Sequence, residues 1–413
     1  MKPAARRNRL HHLVLFKLVM KALWGGLFFW GQLAFAQTWT QTSAPNDNWT
    51  SIASSADGSR LVAAAGVYGG DGLIYISTNS GTTWMPSTNA PTELWECVAS
   101  SADGTKLVAA TYDYLSGSIY TSTNEGNTWT QQTNTTYGAD EDGWNSAASS
   151  TDGARLVTVG LATGEILVST NFGAYWTASP PVTNFVRCVA SSASGDLLAI
   201  GISPGGIYTS TNSGNSWAVT TAPVASWTSI ASSADGNKLV ACDANFGGIY
   251  VSTNAGATWS MTGAPTNIWF SVASSADGTK LIAGAGGDDS PGPIFQSADS
   301  GVTWELADAP STNWWYAVAS SADGNKLFAV DDLYGGIWTC QTTPTPLMNV
   351  TQTSGNLALS WIVPSTNFVL EQSSDLQNWS ELTNQPCLNL TNLLDETTLP
   401  MTPGVGFYRL ATP

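Results

Sequence analysis

Acidic side chains in short, glycine-rich segments are the residues of this chain best suited by type to do chemistry. The candidate catalytic residues are Asp113, Asp142, Asp243, Asp288 and Asp331. Two carboxylates about 5 to 9 Å apart can hydrolyse a glycosidic bond, one as general acid and the other as base or nucleophile. Aromatic residues of the same segments, Tyr112 and Tyr334, could stack on a sugar or another ligand.

The same acidic residues fit two plainer interpretations. A solvated acidic rim is the one we favour, because acidic loops are common on exported proteins. Neighbouring carboxylates such as Asp288 and Asp289 could instead bind a structural Ca²⁺ ion. We therefore predict no catalytic metal and no cofactor, with structural Ca²⁺ as the alternative.

Residues 1–36 predict a secretory signal peptide cleaved after Ala36, because a basic stretch precedes an apolar run that ends in small residues. The apolar run from Ala22 is shorter than the roughly 20 residues that span a bilayer. We therefore expect a secreted protein with no membrane span after cleavage.

Loss of the signal removes six of the 14 Lys and Arg residues and leaves eight cations against 30 anions, a net charge of −22. A surface this acidic disfavours binding to nucleic acids and anionic lipids. His11 and His12 are also lost. Nucleophile–histidine catalysis and histidine-ligated metal sites are thereby excluded for the mature chain.

The five cysteines show no metal-ligand spacing. Cys97 and Cys188 stand where other copies of an internal repeat have serine, so we expect buried free thiols. A disulfide between Cys340 and Cys387 is a further possibility outside the cytosol.

The internal repeat has a period of 41 to 49 residues, and its seven copies begin at Trp49, Trp95, Trp144, Val186, Trp227, Trp269 and Trp315. Such a period predicts four short antiparallel strands, a to d, per copy, and hence an all-β, seven-bladed propeller. The last copy lacks its fourth strand, whereas the segment from Gln37 matches fourth strands elsewhere. We therefore expect this N-terminal segment to complete blade seven.

A phrase such as STNSGTTW (77–84) closes six copies. It resembles the Asp-box of the BNR-repeat propellers, with Asn in place of Asp in five copies. The paired positions are Asn79 and Trp84, Asn124 and Trp129, Asn171 and Trp176, Asn212 and Trp217, Asn254 and Trp259, and Asp299 and Trp304. We interpret the phrase as a structural turn, because a neutral Asn cannot act as acid, base or carboxylate nucleophile.

Families that the resemblance implies include sialidases, xyloglucan-cleaving glucanases, sortilin-type receptors and photosystem II assembly factors. Sialidases hold their substrate with three arginines. In the predicted propeller, residues 37–342, six cations occupy one repeat position, where we expect them to pair with turn carboxylates, and only Arg187 stands outside that series. A sialidase is therefore disfavoured.

The loops between strands b and c and between strands d and a share one face of a propeller, and here they differ between copies. We call this the variable face and the opposite one the constant face. Strand a begins at the variable face, with Trp49, Trp95, Trp144, Trp227, Trp269 and Trp315. These indoles could form an exposed ligand-binding ring, or they could pack between blades, which their regular repetition favours.

Residues 343–413 predict a second unit, a small β-sandwich. Its LEQSSDLQNW segment and final FYRL resemble a fibronectin-like module of exported bacterial proteins. For the whole protein we predict a non-catalytic binding or assembly scaffold with a protein or polysaccharide ligand. The alternative is a xyloglucanase-like glycoside hydrolase.

Overall fold

The computed structural model describes residues 38–413 except 67–71, 113–116, 134–142, 161–163, 183–184, 287–290, 333–334, 342–347, 354–355, 363–368, 374–377, 383–386, 390–393, 401–406 and 412–413. All regular elements in these residues are β-strands. The described part contains no helix of the length and apolarity that a membrane crossing needs.

Seven four-stranded antiparallel sheets form the blades. Blade seven takes its outer strand, β1 (Thr40–Gln41), from the N-terminal end. Blade one contains β2 (Trp49–Ser54), β3 (Leu61–Ala65), β4 (Ile74–Ser77) and β5 (Met85–Pro86). Blade two contains β6 (Trp95–Ser100), β7 (Leu107–Thr111), β8 (Ile119–Ser122) and β9 (Thr130–Gln131). Blade three contains β10 (Trp144–Ser149), β11 (Leu156–Gly160), β12 (Ile166–Ser169) and β13 (Thr177–Ala178). Blades four to seven contain β14 (Val186–Ser191), β15 (Leu198–Ile202), β16 (Ile207–Ser210), β17 (Ala218–Val219); β18 (Trp227–Ser232), β19 (Leu239–Asp243), β20 (Ile249–Ser252), β21 (Ser260–Met261); β22 (Trp269–Ser274), β23 (Leu281–Ala285), β24 (Ile294–Ser297), β25 (Glu305–Leu306); and β26 (Trp315–Ser320), β27 (Lys326–Asp331), β28 (Ile337–Gln341).

The N-terminal strand closes the ring of blades as predicted. β1 pairs with β28 in the sheet order β1-β28-β27-β26, and the Thr42 N–H donates to the Ile337 carbonyl at 2.8 Å. Trp39, just before β1, is buried with Trp315 in the core of blade seven, their ring centroids 6.3 Å apart. The last blade therefore has four strands, and no outer edge of β28 is left unpaired.

The six tryptophans that begin strand a lie in the core. Each is at most 2% exposed, and each packs between neighbouring sheets; Trp95, for example, contacts Val62 and Ala64 of blade one and Leu107 of blade two. The hypothesis of an exposed, ligand-binding set of indoles is therefore wrong, because a buried indole cannot stack on a ligand. The structure shows the packing between blades that the regular repetition favours.

A closed ring of backbone hydrogen bonds joins the seven turns between strands a and b at the constant face. We call it the turn ring, and its members are Ala56, Ala102, Thr151, Ala193, Ala234, Ala276 and Ala322. Each N–H donates to the carbonyl of the next member at 2.7 to 2.9 Å, and the Ala322 N–H donates back to Ala56. Five of the alanines form one apolar cluster around the axis.

Each a–b turn also holds its own shape. In blade one, Asp57 accepts hydrogen bonds from the Ser55 hydroxyl at 2.6 Å and the Ser59 N–H at 2.9 Å. Burial acts to raise the pKa of Asp57, but these hydrogen bonds outweigh it and the pKa is lowered. Gly58 takes the left-handed φ of 66°, as the sequence predicts.

The cations of the repeat reach the next blade, and Arg60 and Arg155 pair there with turn carboxylates as expected, Arg155 with Asp196 at 2.9 Å. Arg60 donates to the Asp103 carbonyl at 3.0 Å in the turn of blade two and pairs there with Glu125 at 3.1 Å. The aliphatic part of the Arg60 side chain passes so close to Gly104 that a Cβ atom added to Gly104 would lie 2.7 Å from the Arg60 Cβ. These side chains thus tie neighbouring blades together around the constant face.

The STNSGTTW segments form structural turns. Ser77 accepts a hydrogen bond from the Gly81 N–H at 2.9 Å, and Asn79 accepts one from the Thr83 N–H at 2.9 Å. Gly81 has the expected left-handed φ, but so does Ser80, at 56°, and the equivalent non-glycine residue in the other five copies. The Asn side chain therefore serves as a backbone acceptor, not as a catalytic group.

Four described cysteines, Cys97, Cys188, Cys242 and Cys340, are buried free thiols. Burial raises the pKa of Cys242 to about 12. Cys340 is a free thiol in the core of blade seven, so the disulfide with Cys387 that we considered is not formed.

The C-terminal residues form two further sheets. Their strands are β29 (Asn349–Thr353), β30 (Asn356–Ile362), β31 (Val369–Ser373), β32 (Ser380–Glu381), β33 (Cys387–Asn389), β34 (Leu394–Pro400) and β35 (Phe407–Ala411). Their shared core includes Trp361 and Leu370, one from each sheet. Arg409 of FYRL pairs with Glu371 at 2.7 Å and lies over the Trp379 ring at 4.2 Å. The LEQSSDLQNW and FYRL segments, which resemble the module of exported proteins, therefore contact each other through these side chains.

Candidate functional site

A β-bulge at the second residue of strand a lines the axis of the propeller in every blade. The pairing with strand b shifts there by one residue, as between Trp49 and Ser51. We call the inserted residues the bulge ring: Thr50, Glu96, Asn145, Arg187, Thr228, Phe270 and Tyr316. A bulge re-aims a side chain, and these seven face one axial cavity of about 170 Å³.

Three members of the bulge ring bind the neighbouring blade. Thr50 donates to the Trp95 carbonyl at 2.9 Å, Thr228 donates to the Trp269 carbonyl at 2.8 Å, and Asn145 donates to the Arg187 carbonyl. One position further along, Ser51 accepts from the Val98 N–H at 3.1 Å. These contacts hold the inner strands together, so their side chains serve the scaffold.

The other four members give the axial cavity its chemical character. The Tyr316 hydroxyl donates to Glu96 at 3.5 Å across the width of blade one, and the Phe270 and Tyr316 rings lie 5.3 Å apart. Glu96 is buried and Arg187 is half-buried. No described carboxylate lies within 4 Å of the Arg187 guanidinium. The cavity therefore presents an acid, an aromatic pair and a separate cation.

The axial cavity is lined by apolar residues on the side of the constant face. Below the bulge ring, the fourth positions of strand a, such as Ile52, Val98 and Val272, line an apolar zone. The turn ring and its alanine cluster follow. The bulge ring therefore lies at the end of the cavity nearer the variable face, where sequence analysis placed any site.

Two of the predicted catalytic carboxylates have structural roles. Asp243 accepts hydrogen bonds from the Ser226 N–H at 3.1 Å and the Asn245 N–H at 3.0 Å, and Asp331 accepts one from the Trp314 N–H at 2.9 Å. Each thus fixes the d–a loop to the end of strand b. All three hydrogen bonds end on the Oδ1 atom of the carboxylate, which gives each residue a structural role at the base of its loop.

The remaining predicted site residues of the loops are outside the part of the chain the structure describes. They are Asp113, Asp142, Asp288 and Tyr334, together with Asp289 of the considered Ca²⁺ site. Tyr112 is described: its N–H donates to the Leu94 carbonyl at 2.8 Å, and its side chain is half-buried. No cluster of metal-ligating side chains occurs among the described residues.

Three exposed apolar side chains lie on variable-face loops of blades four and five. Phe185, Val224 and Phe246 are 49%, 80% and 71% exposed. Both phenylalanines have positive φ, 65° and 50°, a conformation that non-glycine residues rarely take. Backbone hydrogen bonds from Ser203 to Phe185, from Gly205 to Ala225 and from Ala244 to Ser226 link the loops that carry them. We call these three residues the apolar patch.

The sequence contained a signal for the bulge ring that we did not use. The second residue of strand a differs in nearly every copy, reading Thr, Glu, Asn, Arg, Thr, Phe and Tyr, inside an otherwise regular strand. Variation at one position of a constant framework marks a surface that packing does not constrain. Arg187, the cation outside the repeat series, lies in this ring.

Comparison with known proteins establishes the fold. No family model matches the sequence, and no curated protein is significantly similar to it. Among solved structures, YCF48 from Cyanidioschyzon merolae has a TM-score of 0.55 at 15% identity, covering 74% of this chain and 99% of that one. A structure of YCF48 bound to D1 peptide has a TM-score of 0.56 at 15% identity, covering 75% and 98%. This chain therefore shares the propeller fold with those proteins.

The environment of Asp331 predicts how pH affects stability. Burial raises its pKa to about 6, assisted by the neighbouring charge of Asp332 and opposed by the Trp314 N–H. The folded state holds the Asp331 proton more tightly than the unfolded chain does. The free energy of unfolding therefore falls as the pH rises towards 6, and the loss is complete once Asp331 of the folded state is ionised. Asp331→Asn keeps an acceptor oxygen but removes the charge. We expect the variant to be more stable than wild type at pH 8, with the difference shrinking as pH falls through 6 towards 4.

Urea unfolding at pH 4.5 and pH 8 measures this difference directly. An equal stability change at both values would contradict the assignment.

Proposed function

We propose that the protein is a non-catalytic binding scaffold that takes a segment of a partner protein on its variable face. The observation that carries the proposal is the apolar patch, which exposes two left-handed phenylalanines on the loops of a rigid propeller. Aromatic side chains held in this way are typical anchors of protein interfaces, because they bury a large area at low entropic cost.

Two further observations support a scaffold over an enzyme. The described loop carboxylates Asp243 and Asp331 accept hydrogen bonds from loop backbone, which suits a structural role. A propeller of the same fold, YCF48, has a structure with a bound peptide, so this architecture is compatible with peptide binding. A polysaccharide ligand is the other outcome that the experiment below can give.

We also propose that the protein is exported, on the strength of the basic and then apolar segment that ends at Ala36. The expected mature protein begins at Gln37, two residues before Trp39 and three before the closing strand β1. N-terminal sequencing of the protein recovered from outside the cytoplasm of an expression host tests this. An intact N-terminus, or recovery only from the cytoplasm, would contradict export.

A peptide selection tests the binding proposal. A random peptide library displayed on phage is selected on the purified protein, and dissociation constants are measured for synthetic copies of the recovered peptides. Phe246→Ser and Phe185→Ser should each weaken binding by about tenfold or more, because aromatic anchors dominate interface energy.

The matched control is Tyr175→Ser, since Tyr175 is 58% exposed in the box segment of blade three on the constant face. It should leave peptide affinity unchanged. The proposal would be overturned if selected peptides bound all three variants equally, or if only a polysaccharide panel gave binding or turnover.

A further inference from the structure

The axial cavity is chemically distinct from the apolar patch. Its upper level carries two opposite charges, Glu96 from blade two and Arg187 from blade four, with the aromatic rings of Phe270 and Tyr316 from blades six and seven. Its lower level is apolar. A small molecule that complements this cavity carries a positive and a negative group at one end and an apolar group at the other.

Arg187 is the element that most needs an external partner. The other six cations of the propeller belong to the repeat series that ties blades together on the constant face, whereas Arg187 lies within the cavity. The guanidinium is a planar, permanently charged group that binds carboxylates in a bidentate manner. In a chain whose predicted mature charge is −22, a free anion is repelled over long distance, while a ligand of zero net charge is not.

Glu96 offers the complementary partner for a cationic group. Its carboxylate is buried and accepts the Tyr316 hydroxyl at 3.5 Å, and the Tyr316 ring lies beside that of Phe270. An ammonium group next to this carboxylate would also face the two aromatic rings, which stabilise cations through their π electrons. The volume of about 170 Å³ accommodates one small organic molecule in place of several waters.

We propose that the axial cavity binds a small zwitterion of the α-amino-acid class, with its carboxylate on Arg187 and its ammonium group on Glu96 and the Phe270–Tyr316 aromatic pair. The ligand's side chain points towards the apolar zone that contains Ile52, Val98 and Val272. This site goes beyond the proposed peptide binding and does not depend on it, because it shares no residue with the apolar patch.

Isothermal titration calorimetry and thermal-shift measurements on the purified protein test the proposal with three sets of ligands. Alanine, leucine and phenylalanine are each compared with their N-acetyl form, which keeps only the negative charge, and their amide, which keeps only the positive charge. At least one amino acid should bind about tenfold more tightly than either of its derivatives, because each derivative lacks one of the two charged contacts that the proposed site makes.

Two charge-removing variants assign the contacts. Arg187→Gln should lower the affinity for the amino acid to that of its amide and leave the amide unaffected. Glu96→Gln should lower it to that of the N-acetyl form and leave that form unaffected. Lys238→Gln, on the constant face, is the control and should change nothing, and thermal midpoints of the free proteins show that each variant folds.

Three results would overturn the proposal. They are the absence of both heat and thermal stabilisation with every ligand at millimolar concentration, equal binding of an amino acid and its N-acetyl form, or equal weakening of an amino acid and its amide by Arg187→Gln.

Discussion

Seven backbone hydrogen bonds that run head to tail around the axis hold the rest of the structure in place. Each N–H of the turn ring is satisfied only by the next blade, and a buried amide without a partner is costly. Because the last bond returns from Ala322 to Ala56, the ring exists only when all seven blades are present and in register. β1 and Trp39 complete blade seven, which supplies Ala322 and so the bond that closes this ring.

The turn ring also explains why the residues that face the axis are free to vary. Strand a is held at the constant face by its turn and at the variable face by a buried tryptophan, as at Ala56 and Trp49 in blade one. The bulge between these two anchors aims one side chain at the axial cavity, and neither anchor depends on what that side chain is. Seven equivalent positions can thus carry different chemistry on one scaffold.

Most of the fold could be predicted from the sequence because its signals are local and repeated. The period, the turn glycines such as Gly58 and the match of the N-terminal segment to fourth strands were sufficient for the blades and their closure. The packing of the strand-a tryptophans remained open at that stage, since periodicity alone does not show which face of an inner strand a ring covers. The burial of Trp49 and its equivalents shows that these side chains pack between blades.

The candidate site was harder to predict because it depends on contacts between distant blades. A β-bulge is not visible in a pattern of alternating residues, and the variability of the second position of strand a, the local signal available, does not show that Arg187 and Glu96 share a cavity. Likewise, Arg60 finds its partners in the next blade, more than 40 residues away, and not in its own turn. Asp243 and Asp331 have the residue type of a catalytic pair, but their hydrogen bonds to loop N–H groups are visible only in three dimensions.

Amide hydrogen exchange in a Trp39→Ala variant tests most directly whether the turn ring closes the propeller as one unit. Truncation of this buried side chain weakens blade seven by about 3 to 5 kcal/mol. If the ring is cooperative, all seven turn amides lose protection together, including Thr151 and Ala193 on the far side from Trp39. Loss of protection confined to Ala322 and Ala56, with the distant amides still protected as in wild type, would contradict the account.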